Sequence, residues 1–359
     1  MIRKKSLKAI AKKLQNLNLK KDIYIMEVCG THTMEFFRTG VKDIFPKELH
    51  LIDGPGCPVC VTPNEYLDRA IEIGKKHKDV IITTFGDMIR VPSSYSSLRE
   101  EKAKGMNIEI VYSPFDALDI AKNNPNKEII FLGIGFETTA PGEAAVILRA
   151  KKENIKNFSL LSGAKLTVPA VCALLEDKDV KINGFIYPGH VSVVTGMSPY
   201  YMIAEKYNKP GVVTGFEPGD LIIGVLSLVK LIIEEKKLAI NQYRRVVKEE
   251  GNQKARKTMY EVFEKGPSLW RGLGKIPESG LFIKEKYREF DAYYKFPVVP
   301  PPSKEHPGCR CGDILKGLVT PFDCPLFGKT CTPETPVGPC MVSSEGACAA
   351  YYKYGREKW

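Results

Sequence analysis

Short apolar runs alternate with stretches of helical period through the first 215 residues. β-rich runs occur at 23–28, 49–52, 80–84, 108–112, 128–132, 158–161, 185–187 and 212–214. Between them, 64–76, 95–104, 115–122, 142–152 and 199–207 carry helical spacing. Short apolar strands joined by helical crossovers predict parallel sheets covered on both faces. Eight strands suit two four-stranded units, 22–123 and 124–215, with the polar Asn123-Asn124-Pro125-Asn126 as the joint. After Pro218 the pattern turns helical at 220–237, 241–248 and 253–265, and from Pro297 proline and glycine dominate. Residues 1–21 and 216–359 are therefore expected to form a third region, mainly helical and irregular.

Composition narrows the class. A chain of 359 residues exceeds the size at which one core keeps growing, consistent with several domains. The Lys-rich start has no apolar h-region, and the most apolar run, 221–233, is too short to span a bilayer and contains Lys230. A cytoplasmic protein with no membrane partner is expected. The net charge of +11 is spread over helix faces without an Arg-rich tract or aromatic–basic interleaving, so no nucleic-acid partner is expected.

The ten cysteines change the picture most. In the cytoplasm they point to metal or catalytic thiols before disulfides. Cys29 follows the first strand in Cys29-Gly30-Thr31-His32-Thr33, where Thr31 or Thr33 can cap the next helix and the helix N-terminus favours thiolate. With His32 it makes either a soft-metal site or an activated nucleophile. Gly54-Pro55-Gly56-Cys57-Pro58-Val59-Cys60 follows the second strand; with no second CxxC to complete a zinc site, redox exchange between Cys57 and Cys60 is the favoured chemistry. Glu137 and His190 sit in tight turns after the fifth and seventh strands, at the sheet edge that carries chemistry in open α/β folds. The Asp87–Arg90 loop after the third strand reads as a brace.

In the tail, Cys309, Cys324, Cys331 and Cys348 are widely spaced on loops without a tight knuckle, which suits a cubane iron–sulfur cluster better than zinc. On spacing alone Cys311 or Cys340 can replace one of the four. The expected fold class is α/β, with two small Rossmann-like parallel-sheet domains plus a mainly helical and irregular domain carrying an iron–sulfur cluster.

Together the segments CGTHT (29–33), GPGCPVC (54–60), TFGDMIRVP (84–92), GFETT (135–139), PGHVS (188–192), the tail cysteines and MVSSEGACAAYY (341–352) resemble the HypD family of hydrogenase maturation factors. The resemblance runs from about residue 20 to the C-terminus. It implies a scaffold on which the Fe(CN)2CO group of [NiFe]-hydrogenase is assembled, destined for the hydrogenase large subunit. It further implies a small chaperone partner, HypC, and a cyanide donor, HypE, which carries cyanide as a thiocyanate. By this resemblance Cys29 holds Fe(II) carrying cyanide and CO, with His32 beside it, and Cys57 and Cys60 are a redox pair. Cys309, Cys324, Cys331 and Cys348 are then ligands of a [4Fe-4S] cluster, with Glu137 and His190 facing the same cleft. The protein is in this view an accessory metallocentre-assembly protein with thiol and iron–sulfur redox activity. An iron–sulfur-linked thiol–disulfide reductase is the alternative.

Overall fold

The computed structural model describes residues 4–355. Its strands are β1 (Ile23–Glu27), β2 (Leu49–Asp53), β3 (Val80–Thr84), β4 (Ile108–Ile110), β5 (Glu128–Gly133), β6 (Phe158–Ser162), β7 (Gly184–Pro188), β8 (Gly211–Thr214), β9 (Ala239–Asn241), β10 (Phe263–Trp270) and β11 (Gly274–Ile283). One parallel sheet has the order β2-β1-β7-β8-β9 and the other β4-β3-β5-β6, while β10 and β11 form an antiparallel hairpin. Apolar residues cover both faces of each sheet, as parallel pairing requires.

All eight expected strands are present, but they are sorted differently from the expected units. A division at residue 123 would part β1 and β2 from β7 and β8, which share a sheet, and β3 and β4 from β5 and β6, which share the other. The chain starts the five-stranded sheet, leaves to build the whole four-stranded sheet, and returns. Hydrophobic period locates strands; it carries no information about partners as distant as Ile25 and Gly184, which are in register.

The region after residue 215 also divides. The helix Pro218–Ile233 packs its Leu221, Val225 and Leu228 with Ile186 and Val212 of the five-stranded sheet, and the helix Lys4–Gln15 adds Leu14 to the same core. Residues 241–248, expected as helix, are instead the end of β9 and a turn. The Asn241 side chain accepts from Tyr243 N at 3.0 Å and donates to Val247 O at 2.9 Å, an arrangement that competes with helix. The expected helix at 253–265 stops at Val262, where β10 begins. Among the described residues no helix is long and apolar enough to cross a membrane.

Each sheet has one place where the strand order reverses, between β1 and β7 and between β3 and β5. The loops leaving these four strands carry Cys29, His190, Asp87 and Glu137, so the topology itself sets the chemistry at the two crevices.

The helix Ala140–Lys152 crosses the end of β5 at Gly133, where a Cβ would come 3.0 Å from Glu143 Oε2. Glu143 is buried and neither carboxyl oxygen has a partner; burial alone pushes its pKa to about 8. A carboxyl with a raised folded-state pKa binds its proton more tightly when folded. Its contribution to stability is therefore present below about pH 4.5 and lost as the pH rises through about 8. Glu143→Gln should flatten the fall in urea midpoint between these values. An unchanged slope would show that the carboxyl is solvated.

Candidate functional site

Cys29 stands at the reversal between β1 and β7, as the N-cap of the helix Gly30–Arg38. Its loop is zipped to the loop after β2: Gly54 N donates to Glu27 O at 2.9 Å and Gly30 N to Gly56 O at 3.0 Å. The approach is so close that a Cβ on Gly56 would lie 2.1 Å from Cys29 N. Beneath it Glu27 is buried and uses both carboxyl oxygens locally, accepting from Cys29 N at 2.8 Å and from the Thr33 hydroxyl. Neither threonine caps the helix as expected, because Thr33 serves Glu27 and Thr31 donates to Glu345 Oε1 at 2.6 Å.

The helix N-terminus does not make Cys29 a ready thiolate. Burial, then the charge of Glu345, push its pKa to about 12, outweighing the backbone N–H of His32 and the Thr31 side chain, which favour the anion. In the absence of a cation the sulfur keeps its proton, and a bound cation would reverse that balance.

His32 is fully buried and directed away from solvent, its Nε2 3.1 Å from Gly215 O. Burial depresses its pKa to about 4, so the ring is neutral. It stacks on Phe216 at 4.6 Å, and His190 stacks on Phe216 from the other side at 4.0 Å. The exposed His190 begins the helix Gly189–Thr195 after β7, with its pKa lowered by its packing and partly restored by Glu345. Phe216, which leaves β8, and Glu345, from the tail, are thus parts of the cleft that the motifs did not single out. Glu345 lies within the MVSSEGACAAYY segment, but nothing in that segment marked it as a neighbour of Cys29.

Glu137 is buried in the other crevice. Its Oε1 accepts from Thr167 N at 3.0 Å and Thr167 Oγ1 at 3.1 Å, Oε2 has no partner, and burial raises the pKa to about 7. It makes no direct contact with Cys29; the buried Tyr200 hydroxyl feels the charge of both. Asp87 and Arg90 brace the tail rather than each other: Asp87 accepts from Ser343 Oγ, and Arg90 donates to Pro333 O and Val342 O.

Cys57 and Cys60 open the short helix Pro58–Val61, their sulfurs 2.7 Å apart as free thiols. Both are buried. From Cys60 a series of thiol contacts runs into the tail. Cys340 lies beside Cys60, Cys311 and Cys348, and Cys311 in turn lies beside Cys309. The three neighbouring thiols hold Cys340 well below the usual thiol range, while burial and its thiol partners raise Cys60. Cys331 accepts from Val337 N at 3.3 Å and Cys324 lies against Gly308 O at 3.8 Å, both within the same packed cluster. Cys311 and Cys340 therefore stand between the CxxC pair and the outer tail cysteines, a position their spacing could not reveal.

Among the described residues no three His, Cys, Asp or Glu side chains converge as a single metal ion requires. A cubane cluster spreads its four thiolates much farther apart. Cys309, Cys311, Cys324, Cys331, Cys340 and Cys348 all belong to one packed core cluster, a sulfur-rich donor set that fits it.

A two-sheet α/β fold with a lone thiol at one reversal, joined to a thiol-rich tail, finds its counterpart among hydrogenase formation proteins. The family model HypD, described as the hydrogenase formation hypA family, matches residues 2–355. The hydrogenase maturation factor HypD of Rhodobacter capsulatus is 48% identical over 341 residues, covering 93% of this chain and 90% of that protein. The factor of the same name from Escherichia coli is 45% identical over 335 residues, covering 93% and 90%. That from Azotobacter vinelandii is 44% identical over 346 residues, covering 94% and 91%. The chain belongs to the HypD family of hydrogenase maturation factors.

Gly56→Ala should push the Cys29 backbone out of place, lowering stability by about 1–3 kcal/mol. It should also speed alkylation of Cys29 by iodoacetamide, read by peptide mass spectrometry. Unaltered alkylation would mean that the two loops are not held together by this contact.

Proposed function

We propose that the protein is the scaffold, together with HypC, on which the Fe(CN)2CO group of [NiFe]-hydrogenase is built, with Cys29 holding the iron cargo and HypE supplying cyanide. The observation that carries this reading is the contrast between Cys29 and the other thiols. Cys29 has no sulfur among its recorded contacts and sits at a sheet reversal, whereas Cys57 and Cys60 contact each other and continue through Cys340 into the tail. An unpaired thiol suits low-spin iron, which is soft. Paired thiols suit electron storage.

The chemistry balances with these residues. Two thiols and one thiocyanate give one disulfide, one thiol and one hydrogen cyanide. The S–CN bond breaks, the Cys57–Cys60 bond forms, two electrons pass to the departing groups, and the two thiol protons end on the new thiol and the cyanide. Cys340, which takes up negative charge more readily than its neighbours, lies in contact with Cys60 and can reopen the disulfide by exchange. Cys309, Cys324, Cys331 and Cys348 would hold a [4Fe-4S] cluster, which supplies one-electron reducing equivalents when bound. Glu137, near neutrality in its pKa, and His190 would supply proton-exchanging groups, each from its own crevice.

A general thiol–disulfide reductase would use Cys57 and Cys60 but leave Cys29, Glu137 and His190 without a role.

Cys29→Ala should abolish the infrared cyanide and CO bands of the purified complex with HypC, while Cys57 and Cys60 still titrate as a couple. Persistence of the bands would place the iron elsewhere. Individual Cys→Ser replacements at the six tail positions should remove bound iron and sulfide at Cys309, Cys324, Cys331 and Cys348 and spare them at Cys311 and Cys340. Equal loss at Cys311 would reassign the first ligand.

A further inference from the structure

A cavity of about 310 Å³ opens beside Cys309, and none of the residues that surround Cys29 lines it. Its wall includes Arg271, Lys304, Glu305, His306, Cys309 and Gly338. Gly338 leaves the space open toward sulfur: a Cβ there would lie 2.7 Å from both Cys309 Sγ and Cys311 Sγ. Arg271 is buried. Its Nη2 donates to Thr62 O at 3.1 Å and Asn64 Oδ1, its Nη1 lies 2.9 Å from Glu305, and its Nε has no partner. A buried guanidinium N–H left unmatched is unfavourable, so this cation is not fully satisfied by the chain itself.

The roof is the exposed proline-rich strap 300–307. It is tied down by Lys304 N donating to Ser94 Oγ and by the Tyr95 hydroxyl donating to Pro302 O, each at 2.7 Å. The strap sets Lys304 at the mouth, exposed, and Glu305, half exposed, over Arg271. Glu305 is thus a carboxylate that a stronger acidic group can displace.

We propose that this cavity seats an acidic side chain of an electron-carrier protein that delivers electrons to the redox centre the tail cysteines would hold at Cys309, an inference that rests on the reductive reading above. The volume is ample for a carboxylate side chain, Arg271 and Lys304 favour negative charge, and Cys309 is the outer member of the thiol series leading to Cys60. Reducing a Cys57–Cys60 disulfide to two thiols takes two electrons and two protons, so a one-electron carrier binds twice per cycle.

The test uses the full-length, anaerobically purified protein, oxidised and then re-reduced in a stopped-flow instrument. The reductant is a reduced acidic [2Fe-2S] ferredoxin or, in a separate arm, dithionite alone. With the ferredoxin the rate should fall about tenfold at high salt and about tenfold in Lys304→Glu. Lys257→Glu, the same charge change on the helix Gln253–Val262, should match the wild type. Lys304→Glu and Lys257→Glu behaving alike would overturn the inference. Dependence on Lys304 with dithionite but not with the ferredoxin would make this a free-oxyanion site and overturn the carrier. A wild-type protein that accepts electrons from neither reductant would bring down the reductive reading itself, and this inference with it.

Discussion

The parallel pairing of β1 with β7 is the interaction on which the rest depends. It joins residues 159 apart, Ile25 to Gly184, and it creates the reversal of strand order at which Cys29 and His190 leave the sheet. Without it β1 and β2 would be an isolated pair, too small to bury its own faces. With it, the helices Pro218–Ile233 and Lys4–Gln15 gain a surface to cover, and Gly215 and Phe216 reach His32.

A second constraint is electrostatic. Cys29 is buried beside two carboxyl groups, Glu27, which accepts from its N–H, and Glu345 of the tail, and both oppose its ionisation. Glu27 itself faces Asp53 across the β1–β2 register, and burial together with that neighbour raises its pKa well above the ordinary range. Cys29 therefore keeps its proton among groups that oppose further negative charge. In the thiol series the balance is different, because the neighbouring thiols Cys311, Cys348 and Cys60 favour the anion of Cys340 by more than burial and Cys57 oppose it.

Much of this was legible in the sequence. Every expected strand formed, because runs such as Val80–Thr84 and Glu128–Gly133 are buried on both faces and so nearly continuous in hydrophobicity. The loops bearing Cys29, Cys57, Glu137 and His190 fell at strand ends as expected. The grouping of strands was illegible, since β1 carries no mark of β7. The β10–β11 hairpin was missed: its period is broken by Gly266, Pro267 and Gly280, and the register shifts at that point. Glu345 and Phe216 escaped notice because their importance lies in what they touch, Thr31 and the two histidines, far away in the chain.

The bond from Thr31 to Glu345 spans 314 residues and joins the first motif of the chain to its last. Gly30 lacks a Cβ at the point where Glu345 packs against it, since one would come within 2.5 Å. The wall around Cys29 is consequently finished by the same short segment, Ser343 to Cys348, that holds thiols of the tail. A chain whose tail is still unpacked has an open, incomplete pocket at Cys29. The tail thus acts as an inspection stamp on the first motif, whose pocket closes only when the two segments have met.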